Sequence, residues 1–171
     1  MNYVVHQMEI VVRSLINSDW NSVSKIYADG IATGIATFET EIPNWETWNK
    51  KHIESCRIVA VKSNQVVGFA VLSSVSKRKV YKGVAEVSVY VAKDYRGQYV
   101  GETLLKQLII ESETHNFWTL QAGIFSENIA SIEMHKKFGF RVIGIRKQIG
   151  QLNGKWHDNH FLERRSKLTG I

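Results

Sequence analysis

Residues 84–92 read Val-Ala-Glu-Val-Ser-Val-Tyr-Val-Ala, and no other segment of this 171-residue chain restricts its fold as tightly. Successive side chains of a strand point to opposite faces, so Ala85, Val87, Val89 and Val91 share one face and Glu86, Ser88 and Tyr90 the other. A polar, Gly-containing turn follows over 93–101. It leads into a helix over 100–115 whose Leu104, Leu105, Leu108 and Ile109 form one apolar stripe. The pattern then predicts a strand over 119–124 and a helix over 128–138 that Gly139 terminates. Two closing strands follow, over 140–148 and 156–162. Strand, helix, strand, helix in that order requires a partly parallel arrangement, because parallel neighbours need a crossover.

The first half predicts antiparallel pairing. Glu9 to Arg13 reads as a short strand, and Ser18-Asp19 as the N-cap of a helix with Val23, Ile26, Tyr27 and Ile31 on one face. Residues 34–43 read as a loop, and Asn44 as the cap of a second helix through about Ser55. Strands over 57–62 and 65–73 are joined by Ser63-Asn64, a hairpin-like turn. The predicted order is β-α-α-β-β-β-α-β-α-β-β, an α/β chain of the α+β kind with a mixed, mostly antiparallel central sheet flanked by helices. There is no internal repeat and no Pro/Gly/Ser linker, and Pro43 is the one proline, so residues 1–171 are expected to form a single domain.

Composition narrows the function classes. A hydrophobic fraction of 44% is too high for a disordered chain, and a lone Cys56 excludes a disulfide framework and reads as a buried structural thiol. The 22 basic and 16 acidic residues leave a net charge of +6, which suggests an anionic partner. The basic residues are scattered, with short clusters at Lys77-Arg78-Lys79, Lys136-Lys137 and Arg164-Arg165-Ser166-Lys167. A dedicated nucleic-acid reader would carry a long basic stripe or a known module, so no nucleic-acid partner is expected. No apolar run approaches the roughly 20 residues of a membrane helix. Met1 to Gln7 lacks a basic region followed by an apolar one, so no leader, no membrane partner and a cytoplasmic location are expected. His157-x-x-His160 without further ligands is a poor metal site, Trp156 beside it reads as packing, and no metal is expected.

Val89 to Gly101 reads as strand, tight turn and helix start. A helix N-terminus offers unpaired amides and a partial positive charge, which suits a pyrophosphate, and Gly97 and Gly101 would allow close backbone approach. The same residues fit an ordinary glycine turn before a helix. The segment lacks the Gly-Lys-Ser/Thr of a Walker loop and the Gly-x-Gly-x-x-Gly of the dinucleotide fingerprint.

Arg96-Gly97-Gln98-Tyr99-Val100-Gly101 resembles the acyl-CoA pyrophosphate loop of the GNAT superfamily of N-acyltransferases, Gln/Arg-x-x-Gly-x-Gly/Ala, with Tyr99 standing where the first glycine usually lies. Asn128 to Phe140 resembles the later helix and Gly-Phe strand entry of that superfamily. Ala85 to Val91, Asn153 to Asp158 and Ala36 to Glu41 are similar to the phosphinothricin and methionine-sulfoximine N-acetyltransferase branch.

The resemblance implies a fold in which the strand over 84–92 bulges and splays from its parallel neighbour. It implies acetyl-CoA as co-substrate, contacted by Val89, Tyr90 and Val91 on that strand. Arg96, Gly97, Gln98, Tyr99, Val100, Gly101 and Glu102 would hold it at the loop, and Asn128 and Ser131 on the later helix. It puts a general base at Glu86, where strand position alone reads equally as a glutamate salt-bridged to a nearby Lys or Arg. It puts His135 where many members carry the tyrosine that protonates the leaving thiolate; a buried, hydrogen-bonded histidine is the other reading. Asn128, Ser131 and His135, at i, i+3 and i+7, share one helix face. Phe38, Arg78 and Tyr81 match positions proposed to hold the acceptor and its carboxylate. The implied reaction is acetylation of a small amino-acid-like amine by direct attack in a ternary complex, within a homodimer. A protein N-terminus or lysine as acceptor, and a non-catalytic acyl-CoA sensor, are the alternatives.

Overall fold

The computed structural model describes residues 9–171, and the reading of Met1 to Gln7 lies outside them. The elements in chain order are β1 (Val11–Ser14), α1 (Trp20–Ile31), α2 (Trp45–Lys51), β2 (His52–Lys62), β3 (Gln65–Ser74), β4 (Val84–Val91), α3 (Val100–Thr114), β5 (Thr119–Phe125), α4 (Ile129–Lys137), β6 (Arg141–Leu152) and β7 (Lys155–Arg165). This is the order that periodicity predicts. The strands form one seven-stranded sheet, β1-β2-β3-β4-β5-β7-β6, antiparallel except where β4 meets β5. No helix among the described residues is long and apolar enough to cross a membrane.

Both sheet faces are covered, so the central strands are apolar on both sides. On one face Val23, Ile26 and Tyr27 of α1 and Trp48 of α2 pack on Val59, Phe69 and Val71. On the other, Leu104, Leu105 and Leu108 of α3 and Ile132 of α4 pack on Ile58, Ala70, Leu72, Ala85 and Val87, with Leu120 and Leu162 alongside. Each of these leucines contributes on the order of 1.5–3 kcal/mol through the area it removes from water. Both hairpin turns use two consecutive left-handed residues, Ser63-Asn64 (φ 53° and 61°) and Asn153-Gly154 (φ 49° and 80°), the geometry that matches strand twist.

Several details differ from the sequence reading. The second helix ends at Lys51 rather than near Ser55, because residues 52–55 already join β2, where His52 pairs with Ser73. The Arg57 guanidinium fixes that junction by donating to the carbonyls of Ile53 (3.1 Å), Asn49 (2.8 Å) and His52 (2.5 Å). Asp19 stands at the start of α1 but caps nothing there. Its carboxylate takes a fork of two bonds from Arg13 (2.7 and 2.8 Å) and one from the Ile16 amide (2.9 Å). β6 and β7 run further than predicted, up to the Asn153-Gly154 turn.

The feature that positions the site is where the parallel ladder stops. β4 and β5 pair through Val84↔Thr119, Ala85↔Leu120 and Glu86↔Gln121. Beyond Glu86, β4 continues on β3 as far as Val91↔Gly68, while β5 continues on β7 as far as Phe125↔Asn159. The sheet is therefore split from Val87 onward.

Candidate active site

The split leaves one edge of β4 bare. The Gly83 carbonyl accepts from the amides of Trp118 and Thr119 on the β5 side, and the Val91 carbonyl accepts from Arg96 Nε (3.3 Å). Ala92 donates instead to Val67 on the β3 side. Strand alternation thus directs the backbone groups of Val87, Val89 and Val91 into the gap and those of Ser88 and Tyr90 toward β3. Unpaired strand groups of this kind are ready to pair with another extended chain.

Two cavities adjoin the gap and share the wall made by Ile35, Ala36, Val89, Tyr90, Asn128 and Ser131. One, of about 520 Å³, lies against the start of α3 and is lined by Val91, Arg96, Gly97, Tyr99, Val100, Gly101 and Glu102. Gly97 has φ +73° and open space where a Cβ would be. Tyr99, the N-cap of α3, also sits in the left-handed region at φ 62°, with the residue 70% exposed. That backbone angle explains why a glycine suits the position. At Gly101 a Cβ would stand 3.1 Å from Met134 Sδ, so this glycine also lets α4 approach. The Arg96 guanidinium is held by the carbonyls of Val91 and Asp29, and Glu102 is ion-paired with Lys137 at 2.5 Å. Gln98 does not line the cavity; its side chain accepts from Lys62 Nζ (3.0 Å) and donates to the Asp94 carbonyl (2.9 Å).

The other cavity, of about 550 Å³, lies under α1 and α2 and is lined by Glu86, Ser88 and Phe38, among others, with His135 in its wall. Glu86 opens to solvent through this cavity. Enough protein still surrounds its carboxyl to push the pKa above the ordinary carboxylate value, against the opposing pull of Arg146 and then Lys51. Tyr90 is enclosed by Tyr27 and Phe69 at centroid distances of 5.0 and 5.2 Å, and burial drives its phenol pKa up. Gly30 of α1 lies so close that a Cβ there would stand 2.7 Å from Tyr90 Cδ1.

On α4, Asn128 Oδ1 caps the helix by accepting from the Ser131 amide (3.2 Å). His135 is buried against Phe140, and burial lowers its pKa. Its Nδ1 lies 2.8 Å from the Ser131 carbonyl, which can only accept, so Nδ1 carries the proton. Nε2 is then a lone pair, buried and without a partner among the described residues. A histidine in this state offers an acceptor; of the two sequence readings, proton donor and buried, hydrogen-bonded histidine, this geometry matches the second.

Phe38 packs on Phe125 (4.2 Å) and near His157 (6.3 Å), over Gly150, where a Cβ would stand 2.7 Å from its ring. Arg78 and Tyr81 are not brought to the cavity. They lie on an exposed turn, with the Arg78 guanidinium 5.5 Å above the Tyr81 ring, because residues 75–82 loop outward between β3 and β4. Sequence reasoning missed Lys51 and His52 at the end of α2 and Arg146 and Ile149 of β6, all of which line the cavity. Lys51 is ion-paired with Glu39 (2.8 Å), and burial lowers the His52 pKa to about 4. Cys56 lines neither cavity.

A family model described as an acetyltransferase (GNAT) domain matches residues 12–161. The chain is 32% identical over 160 residues to the phosphinothricin N-acetyltransferase of Alcaligenes faecalis, an alignment covering 90% of this chain and 81% of that protein. Among solved structures, a GNAT superfamily phosphinothricin acetyltransferase from Sinorhizobium meliloti in complex with AcCoA superposes with a TM-score of 0.86 at 26% identity, covering 95% of this chain and 91% of that one. A ribosomal-protein-alanine N-acetyltransferase from Brucella melitensis superposes with a TM-score of 0.84 at 31% identity, covering 91% and 99%.

Proposed function

Because the chain belongs to the GNAT acetyltransferase family and is an acetyl-CoA-dependent N-acetyltransferase, we propose that it acetylates the α-amine of a small amino-acid-like acceptor by direct attack in a ternary complex. The observation that carries this reading is the meeting of two cavities at the split ladder, one against the α3 N-terminus and one containing Glu86. In this reading residues 9–171 act as one catalytic domain. The first amides of α3 and the loop over Gly97 take the pyrophosphate, and the bare edge of β4 pairs with the pantetheine arm.

The acceptor occupies the cavity beside Phe38 and Glu86. An amino group is mostly ammonium at neutral pH, and Glu86, with its raised pKa, takes that proton directly or through water. The amine nitrogen then bonds to the thioester carbonyl carbon. An amide of Val89 or Val91, aimed into the gap, donates to the carbonyl oxygen as it gains charge. When the carbon–sulfur bond breaks, the second proton of the attacking nitrogen neutralises the thiolate, so no protonated histidine is needed. His135 Nε2 serves as a hydrogen-bond acceptor in the wall of the cavity. The exposed Val142, Ile143, Ile145 and Ile149 of β6, at the sheet edge, support the homodimer implied by the resemblance.

The test is release of free thiol from acetyl-CoA with methionine sulfone, phosphinothricin and a panel of amines that includes an alanine-headed peptide. Turnover of the amino acids with little on the peptide supports the proposal. Turnover of the peptide alone favours a protein acceptor, the activity in the name of the Brucella structure. Tight acetyl-CoA binding with no turnover would make the protein a sensor.

A further inference from the structure

Arg146 and Ile149 are three residues apart, so a regular strand would turn them to opposite faces, yet both line the cavity that holds Glu86. The cause is an irregularity in β6. A first register shift falls between Val142 and Gly144; pairing with β7 then runs in step through Arg146↔Asn159 and resumes only at Gly150↔His157. Between them Gln148 takes φ 47°, and Asp158 gathers the displaced stretch by accepting from Lys147 Nζ (2.7 Å) and the Gln148 amide (2.8 Å). Bulges of this kind re-aim side chains next to functional sites.

The cations lining the cavity differ in what they already hold. Lys51 is ion-paired with Glu39, and His52 is neutral at physiological pH. Arg146 forms no hydrogen bond or ion pair among the described residues. Its Cζ lies 4.0 Å from the Phe161 ring centroid, which supports the guanidinium plane and leaves its N–H edge to a ligand. Glu86 lies within its electrostatic reach. An amino acid carries an ammonium and a carboxylate on one carbon, and a carboxylate base and an unpaired guanidinium facing one cavity match those two groups. Arg78, in which sequence similarity places this task, lies outside the cavity.

We propose that Arg146 binds the α-carboxylate of the acceptor and thereby restricts the enzyme to amino acids over simple amines. This rests on the amino-acid N-acetyltransferase reading above. The experiment compares methionine sulfone with its carboxamide as acceptors for the wild type, Arg146→Gln and Arg146→Lys, with the thermal midpoint of each variant recorded.

The wild type is expected to prefer the acid by about tenfold or more in kcat/KM, the span of one charged hydrogen-bonded contact. In Arg146→Gln the KM for the acid rises by a similar factor and the acid-to-amide ratio falls toward one, while the KM for acetyl-CoA holds. Arg146→Lys restores part of the ratio. A wild type indifferent to the carboxamide, or an Arg146→Gln variant that keeps the ratio, overturns the assignment while leaving the acetyltransferase reading intact. A wild type that acetylates neither compound nor any other amine overturns both.

Discussion

Glu86 and Gln121 form the last rung of the parallel ladder, so the proposed base stands at the point where β4 and β5 part. Its raised pKa means that the folded state disfavours the carboxylate. For a group whose folded pKa is raised, the contribution to stability is full below the unfolded value and is lost as pH rises through the folded one. At neutral pH Glu86 therefore works against stability. Glu86→Gln is expected to lower kcat by about 10²-fold or more, leave acetyl-CoA affinity nearly unchanged, and keep or raise the thermal midpoint. The acid limb of the pH–rate profile, with a midpoint above the ordinary glutamate value in the wild type, should vanish in the variant. Normal turnover, or an unchanged limb, would remove Glu86 as the base.

His135 is expected to stay neutral through the physiological range with the proton on Nδ1. Long-range proton–nitrogen NMR at pH 7 should find Nε2 unprotonated, and titration should give a midpoint below the usual histidine value. Because the folded pKa is lowered, its contribution to stability is intact above about pH 6.5. It declines as pH falls from there toward the folded value, since the unfolded chain takes the proton first. A midpoint at or above 6.5 would return the proton-donor role to this residue.

Tyr99→Gly replaces a left-handed tyrosine with the residue that adopts φ 62° freely. Relief of about 1 kcal/mol of backbone strain is offset by a similar entropy cost of glycine, so stability changes little and acetyl-CoA affinity stays equal or improves. Tyr99→Val, β-branched at the same angle, should lower the thermal midpoint. Calorimetry on both variants separates the cases, and a large loss of affinity in Tyr99→Gly would mean that the ring makes a contact of its own.

Gly150→Ala should displace Phe38, because the new Cβ would stand 2.7 Å from its ring. The expected signature is a KM for the acceptor raised several-fold with the KM for acetyl-CoA held. Phe38→Leu in the same chain should recover part of the loss. Unchanged acceptor kinetics in the single variant would show that the loop absorbs the clash without touching the substrate.

The element order, both core faces and the location of Glu86 were legible because each rests on local periodicity: alternation in β4, and the stripe of Leu104, Leu105, Leu108 and Ile109 in α3. The helix start at Tyr99-Val100 was legible for the same reason, with Gly97 marking the turn before it. Arg146 was not legible. It shares the cavity with Ile149 across a bulge held by Asp158, and strand alternation read from sequence cannot show a slip of register. Lys51 was hidden because the pattern ran the second helix on to about Ser55, whereas it ends at Lys51. Arg78 lies outside the cavity; similarity carries over a residue type and not the path of the loop that bears it. Residues 75–82 swing outward here.

A sheet that splits after Glu86 keeps the inner edge of β4 without a strand of its own. Whatever fills that edge is then a structural part of the protein as well as a reactant. A ligand at a hundred times its dissociation constant adds about 2.7 kcal/mol to the folded state, a large share of the stability of an ordinary domain. Either CoA or acetyl-CoA, which share the pantetheine arm, would therefore raise the thermal midpoint when bound along that edge.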